Sequence, residues 1–146
     1  MLKVLFSMFM VLNLVHFAFA KDAMKPAKAV ELPKISEGEL AVFDGEKYKK
    51  FRIFTEEGLS FSEDCKVKSG KMKCLAYLAS VTKLDKALNL EPRISPASLL
   101  CTHLEGVSYL AINFKKEELN YCEFSDGSYV GSWALFYKFF PKNIIK

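Results

Sequence analysis

The sequence predicts an α+β protein made mostly of antiparallel β hairpins, with one or two short helices and two disulfides. Three observations carry this expectation. Short runs rich in β-branched and aromatic residues recur between glycine turns, at Asp44-Gly45, Glu57-Gly58, Ser69-Gly70 and Asp126-Gly127. Helical spacing occurs in only two stretches, within residues 75–90 and 95–104. Four cysteines, Cys65, Cys74, Cys101 and Cys122, all follow an apolar N-terminal segment.

That segment, MLKVLFSMFMVLNLVHFAFA, has the layout of a secretory signal peptide. Lys3 supplies the positive start, an apolar stretch runs from Val4, and Ala18-Phe19-Ala20 is a small-x-small cleavage site. An uncleaved membrane anchor is the competing reading, but the run is short for a span and is interrupted by Ser7, Asn13 and His16. Cleavage after Ala20 leaves 126 of the 146 residues and removes one base and no acid, so the formal charge falls from +4 to +3. Four of the thirteen phenylalanines leave with it. What remains is one small domain's worth of chain, able to bury roughly two-thirds of its unfolded surface. It is far shorter than a ~250-residue barrel enzyme.

Residues 21–37, with Pro26, Pro33 and mixed charges, read as a flexible linker. A β-rich N-terminal part (38–90) and a C-terminal part (91–146) follow. Strands are expected at Leu40–Phe43, Tyr48–Phe54 and Leu59–Phe61. The segment Cys65-Lys-Val-Lys-Ser-Gly-Lys-Met-Lys-Cys74 reads as a hairpin around a two-residue Ser69-Gly70 turn. Its second strand is expected to continue to Val81, ahead of a short helix near Asp85–Asn89. Counting outward from the turn sets Cys65 opposite Cys74 in a non-hydrogen-bonded pair. Such pairs bring Cα atoms to about 4.5 Å, within reach of a disulfide. Four cysteines allow three pairings, and this register selects Cys65–Cys74 and, by elimination, Cys101–Cys122. The second bridge closes a loop of about 20 residues, a contribution of roughly 3 kcal/mol. A zinc site is disfavoured by the spacing and by the single histidine after residue 20.

The same register aims Lys66, Lys68, Lys71 and Lys73 to one side, a candidate contact for an anionic surface or an acidic protein. The plainer reading is a solvated hairpin edge that uses lysine against aggregation.

Glu91-Pro92 breaks the chain. Ser95-Pro96 then reads as an N-cap with proline at the first helical position. The helix that follows carries Leu99, Leu100, His103 and Leu104, and Gly106 stops it. A strand over Ser108–Phe114, a polar turn at Lys115–Glu118 and a hairpin at Asp126-Gly127 come next. That turn, read as two residues, sets Phe124 opposite Tyr129. In the aromatic run Trp133–Phe140, Trp133 reads as the centre of core packing, with an exposed patch as the alternative.

The C-terminal block carries a resemblance. Pro96-Ala97-Ser98 with Cys101 and Gly106, then Tyr121-x-x-x-x-Asp126-Gly127 around Cys122, then Trp133-Ala134, resemble the bacterial exported hemolysin-like family. That family is a domain of unknown function, three-three-three in its series. The likeness covers about a third of the chain. It departs where the family has Gly-Gly and this chain has Glu105-Gly106, and where many members carry two further cysteines. The resemblance implies a small periplasmic or secreted domain, supports pairing Cys101 with Cys122, and implies no catalytic residues.

No phosphate-binding glycine loop, zinc-hydrolase motif or nucleophile elbow is present in the sequence. His103 has Ser95, Ser98 and Asp126 as conceivable partners, but a surface histidine is the simpler reading. No catalytic residue, metal, cofactor or nucleic-acid partner is therefore expected. The expected function is that of a non-enzymatic exported binding or envelope-associated protein. The alternatives are a hemolysin-like membrane-active factor and a protease-inhibitor-like module.

Overall fold

Turn chemistry and period-two burial together determine the architecture. In the computed structural model, which describes residues 30–67, 69–84, 88 and 93–141, six antiparallel strands close into a barrel in the order β1-β2-β3-β6-β5-β4. The strands are β1 (Glu39–Phe43), β2 (Tyr48–Glu56), β3 (Leu59–Ser62), β4 (Val107–Asn113), β5 (Glu118–Glu123) and β6 (Tyr129–Gly131). Three short helices, α1 (Leu75–Val81), α2 (Pro96–His103) and α3 (Ser132–Phe139), complete the described elements, with one 3-10 turn at Glu63–Cys65.

Side chains alternate across each strand, and the two faces build two cores. Leu40, Val42, Ala111, Tyr121 and Tyr129, with Phe51, Ile53 and Tyr109, fill the barrel. Phe61, Cys122 and Val130 point the other way. They meet Leu100, Cys101, Leu135 and Phe136 of the helices in an outer core. The seam between β3 and β6 has a single ladder pair, Phe61↔Val130. Serines of β3 supplement it: Ser62 Oγ accepts from the Tyr129 N–H at 3.0 Å, and Tyr121 Oη donates to Ser60 Oγ at 2.9 Å.

The α+β expectation is corrected. An antiparallel barrel dominates, and the helices are three short additions to it. Closure depends on β1 pairing with β4 and β3 pairing with β6, with Leu40 opposite Asn113. Hairpin patterns report neighbouring strands only, so these distant pairings leave no local trace. The parts on either side of residue 91 share one sheet and both cores.

Three further expectations are corrected. Residues 75–81 form α1, not a strand. The turns at Ser69-Gly70 and Asp126-Gly127 are each longer by one residue than expected. Val67 N–H donates to the Lys71 carbonyl and Gly70 N–H to the Val67 carbonyl, with Gly70 at φ +76°. The same pattern joins Phe124 to Ser128, with Gly127 at φ +79°. This is the three-residue loop with a left-handed third position, and it slips each register by one. Lys66 therefore bridges Met72 instead of Lys73, and Tyr129 opposes Glu123 instead of Phe124. Phe124 lies in the outer core and Tyr129 in the barrel. The signal segment, most of the linker and most of the helix expected near Asp85–Asn89 lie outside the described residues.

Candidate functional site

The most distinctive surface is built on α1. Its seven residues, Leu-Ala-Tyr-Leu-Ala-Ser-Val, are too few to hold a helix unaided. Its amino end is held from elsewhere in the chain. Cys74 is the N-cap, its Sγ accepting from Tyr77 N–H. Asp126 Oδ2 accepts from Leu75 N–H at 2.7 Å, and Ser128 Oγ accepts from Ala76 N–H at 3.0 Å. Ser128 Oγ also donates to Asp126 Oδ1. Burial pushes the Asp126 carboxyl up, but the hydrogen bonds from Ser128 and Leu75 outweigh it and hold the group below its ordinary value. At the other end, Thr82 Oγ1 donates to the Leu78 carbonyl and Ser80 Oγ to that of Tyr77.

Ala76, Ala79 and Ser80 face the core. The opposite face is apolar too: Leu75, Leu78 and Val81 are 38 %, 54 % and 51 % exposed. A surface helix ordinarily turns polar residues to water. Leu75, Leu78 and Ala79 also form one wall of an open groove of about 300 Å³. Leu104 and Phe124 line it as well, and His103 and Glu105 add polar groups. Glu105 sits where α2 ends in a Schellman turn. Gly106 N–H donates to the Cys101 carbonyl and Glu105 N–H to that of Thr102, with Glu105 at φ +65°.

Both expected disulfides form, with Cα separations of 4.9 Å for Cys65–Cys74 and 5.6 Å for Cys101–Cys122. No cysteine is free. The first bridge forms despite the slipped register, because Cys74 leaves the loop to cap α1 while Lys73 N–H pairs with the Cys65 carbonyl. Gly106 packs directly on the second bridge: a Cβ there would clash with Cys122 Sγ. Paired cysteines of this kind belong to an oxidising, extracellular or periplasmic environment.

The four candidate lysines do not form the expected single face. Lys66 Nζ lies 3.9 Å from the centre of the Phe54 ring, Lys71 and Lys73 are exposed beside α1, and Lys68 lies outside the described residues. Trp133 does not centre the core. It is 39 % exposed on α3, stacked on Tyr137, while Leu135 and Phe136 fill the interior. His103 is an exposed residue in the last turn of α2, and Asp126 serves α1 instead. Inside the barrel, Tyr129 stacks on Phe51 at 4.1 Å and donates from its hydroxyl to Glu123 Oε1 at 2.7 Å. Burial and the Glu123 carboxylate together push the Tyr129 phenol well above its ordinary range.

The residues missed in the sequence are those of α1. Its run of alanine and leucine, good helix formers, was the available signal. Among the described residues, no cluster of His, Cys, Asp and Glu could hold a metal, and no helix is long and apolar enough to cross a membrane. No family model, curated protein or solved structure matches the chain.

Proposed function

We propose that this chain is an exported, disulfide-stapled binding protein of the cell envelope, acting by surface contact and not by catalysis. The observation that carries the reading is the apolar outer face of α1 with its open groove, held in place by a disulfide and by the Asp126–Ser128 cap. A rigid, uncovered apolar face is the mark of an interaction surface. The signal-peptide layout of residues 1–20 and the hemolysin-like pattern of the C-terminal third support export. On this reading cleavage after Ala20 releases a chain that begins Lys21-Asp22.

Fractionation of expressing cells with N-terminal sequencing tests the proposal. The expected result is a chain in the envelope or the medium that starts at Lys21 and carries both disulfides. A cytosolic chain that keeps residues 1–20 and has free thiols overturns it.

A further inference from the structure

We infer that α1 docks on an anionic phospholipid surface, with Leu75, Leu78 and Val81 entering the interface and Lys71, Lys73 and Lys83 meeting the headgroups. The inference rests on the envelope reading above and names the partner of that same face.

Three observations carry it. The first is the helix itself, seven residues without one charge and with aliphatic side chains on its solvent side. The second is the lack of directional bonding groups on its exposed residues Leu75, Leu78 and Val81, with the half-buried Tyr77 packed toward the core. The hydroxyls of Ser80 and Thr82 already donate to carbonyls of the helix. The backbone N–H groups of its first turn are satisfied by Asp126, Ser128 and Cys74. A protein partner is recognised through paired polar groups around an apolar centre. The large exposed side chains of α1, Leu75, Leu78 and Val81, are aliphatic, which suits the boundary between headgroups and acyl chains.

The third observation is charge. Lys71 and Lys73 precede the helix, Lys83 follows it, and all three are exposed. Among the described residues none of them forms an ion pair; the ion-paired bases are Lys49, Lys50, Arg52 and Lys138. Glu105 lines the groove and Asp126 sits at the helix start, where its carboxylate is occupied by backbone and Ser128 donors. Unpaired cations flanking an apolar helix complement a negative lipid surface. They oppose self-association through this face, because a symmetric second copy brings like charges together.

Co-sedimentation of the oxidised full chain with lipid vesicles tests the inference. One set is 30:70 phosphatidylglycerol:phosphatidylcholine and the other is phosphatidylcholine alone. The chain is expected to bind the anionic set and to be released by salt. Leu78→Asp is expected to weaken binding by about tenfold or more, since a carboxylate replaces buried apolar surface. Each Lys→Gln at 71, 73 and 83 is expected to weaken it about fivefold. All variants share residues 1–20, so differences among them report α1, and circular dichroism confirms that each is folded. Equal binding by wild type and variants, or equal binding to neutral vesicles, overturns the inference. So does a dimer abolished by Leu78→Asp, or binding to an acidic polypeptide with none to vesicles. If the chain is exported yet ignores vesicles, this inference alone fails; if it is cytosolic and reduced, the envelope reading fails.

Discussion

The Asp126 carboxylate accepts a 2.7 Å hydrogen bond from the backbone N–H of Leu75, 51 residues earlier in the chain. A turn between β5 and β6 thus starts a helix that belongs to the other half of the sequence. Ser128 adds the next bond, to Ala76. The site on α1 exists because the barrel is closed.

Removing this cap should destabilise the fold. Asp126→Ala is expected to cost about 1–2 kcal/mol and Ser128→Ala about 1 kcal/mol. The two bond each other, so the double variant should lose less than the sum. Urea denaturation of the three variants checks this, and equal stability of Asp126→Ala and wild type would remove the cap from the account.

The same carboxylate sets part of the acid limb. Its folded pKa lies below the ordinary 3.8, so it stabilises the fold fully above that value. The contribution is lost as the pH falls through the folded pKa. Asp126→Asn should therefore flatten the dependence of stability on pH below about 4. Denaturation midpoints measured from pH 2 to 6 give the comparison.

Tyr129 governs the alkaline side. Its folded pKa is raised, by burial first and then by Glu123. The stabilisation is full below the ordinary phenol value of 10.0 and is lost as the pH rises from there through the folded pKa. Tyr129→Phe should reduce this alkaline loss and cost about 1 kcal/mol at neutral pH through the unpaired Glu123. Tyr121, also raised by burial, should keep a residual slope. Absorbance of the phenolates during alkaline titration tests both tyrosines.

The end of α2 yields a pair of opposite effects. Gly106→Ala pushes a methyl group into the Cys101–Cys122 bridge and the Glu123 carbonyl, and should cost about 2–4 kcal/mol. Glu105→Gly relieves a left-handed non-glycine residue and should be neutral or stabilising by about 0.5–1 kcal/mol. Thermal melts of both variants decide it.

The strands were legible because they sit between turn residues and place apolar side chains at alternate positions, as β2 does with Phe51 and Ile53 and β3 with Leu59 and Phe61. The helix α2 was legible from Ser95-Pro96, although Ser95 makes no side-chain cap bond. The registers at Gly70 and Gly127 were misread together and for one reason: a glycine after a polar residue fits either a two-residue or a three-residue loop. Only the hydrogen bonds from Val67 and Phe124 distinguish them. The helix α1 was misread because its N–H partners, Asp126 and Ser128, are remote in sequence. Both disulfides were legible, since a slip of one residue still leaves Cys65 and Cys74 within bonding reach.

Each disulfide closes within one half of the chain, Cys65–Cys74 after β3 and Cys101–Cys122 across α2 and β5. Each half is also a three-stranded meander, and their strands pair at two seams, β1–β4 and β3–β6, with the Asp126–Ser128 cap on α1 as a further contact. Nicking the backbone between residues 84 and 93 would leave two fragments, each with its own staple and no covalent tie to the other. Their reunion would depend on the two seams and the shared cores, which makes the molecule a natural split-protein pair. Complementation of the fragments would measure the strength of that non-covalent closure directly.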